Sequence, residues 1–175
     1  MNSNNPMREI IIEKVVINIG VGEAGERLEK AKKVLNLLTG KKPTETKARK
    51  TIRDFSIRKG QSIGCMVTLR KKDAEEFLRR ALWVKNFTIP EYSFDDFGNL
   101  NFGIKDYTNF QNIKYDPEIG IFGFDVSVRV KRKGGYRVMH RRIRRSKIPM
   151  RHRVTKEESM EFFRKNFNLE ILEVK

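Results

Sequence analysis

The segment Gly20-Val21-Gly22-Glu23-Ala24-Gly25 is the first place where residue type and spacing could do chemistry. It has the G-x-G-x-x-G form that brings backbone N–H groups against a dinucleotide pyrophosphate, and it lies between a predicted strand and a predicted helix. Three features argue against a cofactor there. A dinucleotide-binding unit needs a second parallel strand ending in an acid for the ribose, but that place holds the basic, aperiodic Lys41–Lys50. No further strand–helix–strand unit follows, and Glu23 would face the pyrophosphate. A tight turn made by Gly20 and Gly22, beside RNA, is the better reading. Nucleophilic and metal chemistry have less footing still. Cys65 falls on the apolar side of its strand, and His140 and His152 lack the further ligands a metal site needs. The residues point to no enzyme, no cofactor and no metal.

Cations are what the chain has in abundance. Its 175 residues carry 38 Lys and Arg against 22 Asp and Glu, a formal charge of +16. Such a surface repels itself unless a polyanion neutralises it, and nucleic acid is the commonest one. A membrane surface would instead call for a basic amphipathic helix, and no run approaches the ~20 apolar residues that span a bilayer. The start, Met1–Ile10, lacks the apolar core of a secretory signal. A lone cysteine fits a reducing compartment, so the cytoplasm is the expected location.

Two segments concentrate the charge. Residues 41–60 hold eight Lys or Arg, show neither helical nor strand period, and read as an exposed basic loop. Residues 131–153 hold eleven, with no acid between Asp125 and Glu157. That run should gain order only against a polyanion. It lies inside the chain and contains Tyr136, Met139, Ile143, Ile148 and Met150, so it reads as an RNA-embedded extension rather than a polycationic tail. Its candidate contacts are Lys131, Arg132, Lys133, Arg137, His140, Arg141, Arg142, Arg144, Arg145, Lys147, Arg151 and Arg153.

The elements that must position these residues follow from period. Strands are expected at 13–19, 62–70, 100–104 and 121–131. Helices are expected at 25–39, 73–86 and 155–168, the last behind a Thr155…Glu158 capping box. Residues 87–120 read as short strands and turns. The order suggests one α+β domain over 1–175: a two-layer, largely antiparallel sheet with helices on one face.

Strand side chains alternate, so each strand splits into two sets. Val15, Ile17 and Ile19 oppose Lys14, Val16 and Asn18. Ile63, Cys65, Val67 and Leu69 oppose Ser62, Gly64, Met66, Thr68 and Arg70. Leu100, Phe102 and Ile104 oppose Asn99, Asn101, Gly103 and Lys105. Phe122, Phe124, Val126, Val128 and Val130 oppose Gly123, Asp125, Ser127, Arg129 and Lys131. One face is apolar and meets helices; the other is small, polar or basic and is left open. Its amides, hydroxyls and cations suit phosphate and ribose oxygens, and its aromatics point inward, which argues against base stacking on the sheet.

With those residues in view, the chain resembles the universal large-subunit ribosomal protein family called L-five, in its archaeal form, with L-eleven as the eukaryotic counterpart. The matching motifs are KVVINIGVGEA at 14–24, LTGKKPTETKARKTIRDFSIRKGQSIGCMVTLR at 38–70, SFDDFGNLNFGI at 93–104 and YDPEIGIFGFDV at 115–126. The segment 132–158 is similar to archaeal and eukaryotic members. The resemblance implies a structural role in the central protuberance of the large subunit, binding 5S rRNA and helping attach it. Lys14, Asn18, Gly20, Gly22, Thr46, Lys47, Arg49, Ser62, Gly64, Thr68 and Arg70 would make the 5S rRNA contacts. It also implies contact with P-site tRNA through Lys50, Arg53, Arg58 and Lys59. Further implied partners are large-subunit rRNA, neighbouring ribosomal proteins and a small-subunit bridge protein. The alternative is a free-standing, non-specific RNA-binding protein or chaperone.

Overall fold

The computed structural model describes residues 5–111 and 113–172. The fold is α+β, with a largely antiparallel five-stranded sheet. Strand β1 (Ile10–Gly20) is followed by helix α1 (Glu26–Thr39), strands β2 (Thr44–Lys47) and β3 (Ser62–Leu69), and helix α2 (Lys71–Val84). Then come β4 (Thr88–Pro90), β5 (Leu100–Ile104), β6 (Phe124–Arg132), helix α3 (Gly135–His140), helix α4 (Lys156–Phe167) and β7 (Glu170–Leu172). The sheet order is β2-β3-β1-β6-β5, and β4 pairs in parallel with β7 as a separate ribbon.

The helix boundaries have local causes. Helix α1 starts after Gly25 and stops at Gly40, whose left-handed φ of 65° lets its N–H donate to Asn36 O at 2.7 Å. Helix α4 carries the full capping box: the Glu158 N–H donates to Thr155 Oγ1, and the Thr155 N–H donates to the Glu158 carboxylate. A cap of this kind contributes about 1 kcal/mol.

Contacts gather the chain into two compact units. The terminal unit takes the opening of β1, Arg70–Asn101 and the chain from Ser127 onward. Phe77, Leu78 and Leu82 of α2 and Phe163 and Phe167 of α4 are buried in its core, and the Arg79 guanidinium of α2 lies 5.1 Å from the Phe167 ring centroid. Phe94 and Phe163 meet edge to face, with centroids 5.8 Å apart, an arrangement worth about 1 kcal/mol beyond burial. The hairpin unit takes Val16–Leu69 and Phe102–Val126. There α1 lies against β3, and Leu28, Ala31, Leu35 and Leu38 are buried together with Ile17, Ile19, Cys65 and Val67.

The alternating strand sets describe most of the sheet. Val15, Ile17 and Ile19 are buried, as are Cys65, Val67 and Leu69, then Leu100, Phe102 and Ile104, then Phe124, Val126, Val128 and Val130. Between them Met66, Thr68, Asn101, Gly103, Asp125 and Arg129 are exposed.

Candidate nucleic-acid interface

In the hairpin unit, residues 41–60 are not the aperiodic loop expected from sequence. Thr44–Lys47 pair antiparallel with β3, placing Thr44 opposite Met66, Glu45 opposite Cys65 and Thr46 opposite Gly64. Backbone bonds carry the ladder outward. Ala48 N–H donates to Gln61 O at 2.8 Å, and Gly60 N–H donates to Ala48 O at 2.9 Å. Ile52 and Ile57 exchange bonds of 2.9 and 3.1 Å. The tip closes where Ser56, with a left-handed φ of 55°, donates to Arg53 O at 2.9 Å. Two side chains brace the turn: Thr51 Oγ1 accepts from Lys59 N–H, and Gln61 Oε1 accepts from Arg58 N–H, both at 3.0 Å. Sequence period does not reveal this strand because both faces of the sheet-edge arm are wet, so no apolar alternation exists to see.

Lys47, Arg49, Lys50, Arg53, Arg58 and Lys59 are all exposed on this arm. Phe55 stands at its tip with 71% of its surface bare. Asn18 is half-buried and Thr68 exposed on the open face, with Thr46 half-buried at the sheet edge. Gly20 and Gly22 form the exposed turn after β1, where Ile63 O accepts from both Val21 N–H (3.0 Å) and Gly22 N–H (2.8 Å).

Two expected contact residues have other work. Gly64 is buried: a Cβ there would lie 2.7 Å from Ile19 O and 2.8 Å from Thr46 Oγ1, so the glycine allows β1, β2 and β3 to close up. Ser62 donates its hydroxyl to Glu45 Oε2 at 2.6 Å, while Glu45 Oε1 accepts from Lys32 Nζ on α1 at 2.7 Å. The register shift between Thr46 and Lys47 breaks strict alternation at this end of β3, so Ser62 is spent on the protein. Hydrogen bonds from Lys32, then from Ser62, hold the Glu45 carboxyl below its ordinary range.

In the terminal unit, Arg70 is exposed and Lys14 half-buried. The segment 131–153 does not project as a plain extension. Arg132 is anchored by a two-oxygen ion pair with Glu158 at 2.7 Å, and Lys133 pairs with Glu9 at 3.0 Å. Gly135 opens α3, and a Cβ there would lie 2.9 Å from Ile148 Cδ1, so the segment folds back upon itself. Arg137, His140, Arg141, Arg142, Arg144, Arg145, Lys147, Arg151 and Arg153 are exposed. The open face expected throughout the sheet is therefore not bare in this unit. Gly135, Met139, His140, Ile148, His152 and Arg153 stand over Glu13, Arg129 and Lys131 and enclose a cavity with them.

Both surfaces sit in a chain whose relatives are clear. The profile described as ribosomal protein L5 matches residues 5–58, and the profile for the C-terminus of the same family matches 62–162. The chain belongs to the ribosomal protein L5 family. It is 58% identical over 168 residues to the large ribosomal subunit protein uL5 of Thermoplasma volcanium, covering 96% of this chain and 99% of that protein. The uL5 of Picrophilus torridus is 55% identical over 97% of both chains. That of Sulfolobus acidocaldarius is 51% identical over 97% of this chain and 94% of its own length.

The two family profiles meet in the arm between β2 and β3, and the second runs through the basic segment into α4. Both charged surfaces thus lie within the matched residues. Sequence reasoning missed Glu13 as a residue of the open face. Strict alternation from Val15 would turn it inward, yet its carboxylate pairs with Arg129 Nε at 3.1 Å.

Proposed function

We propose that this chain is a structural constituent of the large ribosomal subunit that binds 5S rRNA and helps attach it in the central protuberance. Family membership supports the ribosomal role. The observation that carries the RNA reading is the hairpin unit's open face, where Asn18, Thr46 and Thr68 stand beside an arm bearing six exposed cations, Lys47, Arg49, Lys50, Arg53, Arg58 and Lys59. Hydroxyls and amides at fixed strand spacing suit the ribose-phosphate surface of a folded RNA, while the cations draw it in and hold register. Gly20 and Gly22 let backbone approach backbone beside that face, with Arg70 and Lys14 as the terminal unit's own sheet contacts.

The exposed tip of the arm, with Lys50, Arg53, Arg58 and Lys59, is proposed to reach P-site tRNA, and Phe55 supplies the apolar contact there. The segment 131–153 is proposed to lie against large-subunit rRNA and neighbouring ribosomal proteins, a small-subunit bridge protein among them. Binding of the full chain to archaeal 5S rRNA, measured across a salt series beside a length-matched duplex, tests this reading. The affinity should fall steeply with salt, yet stay at least about tenfold higher for 5S rRNA at every concentration. Equal binding of both RNAs would reduce the chain to a non-specific polycation.

A further inference from the structure

The cavity under the folded-back segment has a composition that neither a solvated sheet face nor a phosphate clamp explains. Its volume is about 370 Å³ and it lies wholly within the terminal unit. The floor comes from three neighbouring strands: Glu13 of β1, Arg129 and Lys131 of β6, and Asn99 beside the start of β5. The roof comes from the basic segment.

Three kinds of chemistry meet there. The first is an aromatic platform. Phe97 lines the cavity, is 45% exposed, and has the Arg153 guanidinium 5.2 Å from its ring centroid. A second flat group can stack on the same side chains. Met139, Ile148 and Val154 add apolar wall. The second is a pair of acceptors. The Glu13 side chain is only 7% exposed, with Arg129 Nε 3.1 Å from Oε2. Asn99 gives one Nδ2 N–H to Asp95 at 2.7 Å, and its carbonyl oxygen is a second acceptor among the lining groups. The third is positive charge: Arg129, Lys131, Arg132 and Arg153 line the cavity together with this single carboxylate and Asn99. Burial lowers the pKa of Lys131, with Arg70 and Arg129 adding to the effect and Glu13 opposing it.

We propose that this cavity receives a single unpaired nucleotide turned out of its RNA helix, with the base on Phe97 and the phosphate among the cations. This rests on the RNA-binding reading and sharpens it, since it adds a base-reading site to a surface otherwise described as reading backbone. The acceptors choose the base. A carboxylate and an amide carbonyl ask for N–H donors, which guanine offers at N1 and N2, and adenine and cytosine at one amine each. Uracil offers a single donor, its N3–H, flanked by two carbonyls that would face those acceptors. The order is guanine first and uracil last. A pocket in the usual range of about 300–1,000 Å³ admits one nucleotide but no duplex.

Two measurements on the full chain test this. Calorimetric or NMR titration with GMP, AMP, CMP, UMP and inorganic phosphate should show GMP binding at least about fivefold tighter than UMP and tenfold tighter than phosphate. Glu13→Gln should flatten the base preference without removing phosphate binding. Phosphate binding as tightly as GMP, or UMP equalling it, overturns the proposal. Phe97→Ala should weaken 5S or large-subunit rRNA binding roughly tenfold while the slope of log K against log salt stays unchanged, as loss of stacking without loss of charge requires. Thermal unfolding of both variants checks that they fold, and Phe97→Tyr should restore binding. If the chain binds RNA but Phe97→Ala changes nothing, the pocket reading alone fails. If it binds no structured RNA at all, the broader reading fails first.

Discussion

The arm at 44–61 and the segment 131–153 are alike in composition and unlike in construction. Eight cations fall in 41–60 and eleven in 131–153. In the arm, backbone donors and acceptors are committed to a ladder from Thr44–Met66 to the Ile52–Ile57 bridge, so each cation's place follows from register. In the segment, backbone bonds are sparse, such as Arg141 N–H to Arg137 O at 3.0 Å and Arg153 N–H to Met150 O at 2.9 Å. It is held chiefly at its root, by Arg132–Glu158 and Lys133–Glu9, and residues 141–147 are exposed throughout. Similar charge density thus serves two ends. A register-locked arm offers a fixed pattern that can select among RNAs, whereas the exposed stretch 141–147, outside the cavity lining, offers counter-charge that raises affinity for any RNA.

The largest effect expected from this contrast is on affinity. Replacing Arg141, Arg142, Arg144 and Arg145 together by Gln should lower RNA binding on the order of a hundredfold at 0.1 M salt and reduce the salt slope by roughly 3. The loss should be similar for 5S rRNA and for a plain duplex. A loss confined to 5S rRNA would reverse the assigned roles.

Next in size, Gly64→Val should destabilise the fold by about 1–3 kcal/mol in urea unfolding, because its Cβ has no room between Ile19 O and Thr46 Oγ1. It should also erase the preference for 5S rRNA over duplex while leaving the salt slope nearly intact. At the root of the segment, Glu158→Gln removes the charge that pairs with Arg132 while keeping a carbonyl acceptor for the capping box, at a cost of about 1–3 kcal/mol. The Arg132 side chain is only 12% exposed, so the change should be visible in thermal unfolding.

Smaller effects concern pH and the thiol. Because the folded-state pKa of Glu45 lies below its ordinary 4.5, its bonds to Lys32 and Ser62 stabilise the fold above that value. The contribution is lost as pH falls through the lower, folded value. Glu45→Gln should therefore make stability less steep in acid at the hairpin unit. Burial pushes the Cys65 thiol up to about 11, so alkylation at pH 8 should be negligible until the chain unfolds.

Much of this was legible in the sequence where one face of an element is dry. The buried sets of β1, β3, β5 and β6, the three long helices and the Thr155–Glu158 cap all follow from apolar period or cap chemistry. The rest depends on pairing between distant residues, which period does not carry. Strand β2 has two wet faces, and β7 is three residues long, recruited by β4 through bonds such as Glu170 N–H to Phe87 O at 2.8 Å. Ser62 and Glu13 depart from alternation at the two ends of their strands, so one residue assigned to the interface is spent on Glu45 and another lies on a face where alternation does not put it. The fold-back of 131–153 over Arg129 and Lys131 rests on Ile148 meeting Gly135 and on two ion pairs, none of which a count of cations reveals.

The central claim is that the hairpin unit's open face reads a folded RNA, and it is tested most directly by footprinting. Nuclease protection of 5S rRNA should be compared for the native chain and for one carrying Asn18→Ala and Thr68→Ala, at equal salt and with folding verified. Two lost hydrogen bonds, at about 1 kcal/mol each, should weaken binding roughly thirtyfold and uncover a defined patch of nucleotides, while duplex binding is unchanged. An unaltered footprint and affinity in the double variant would contradict the account.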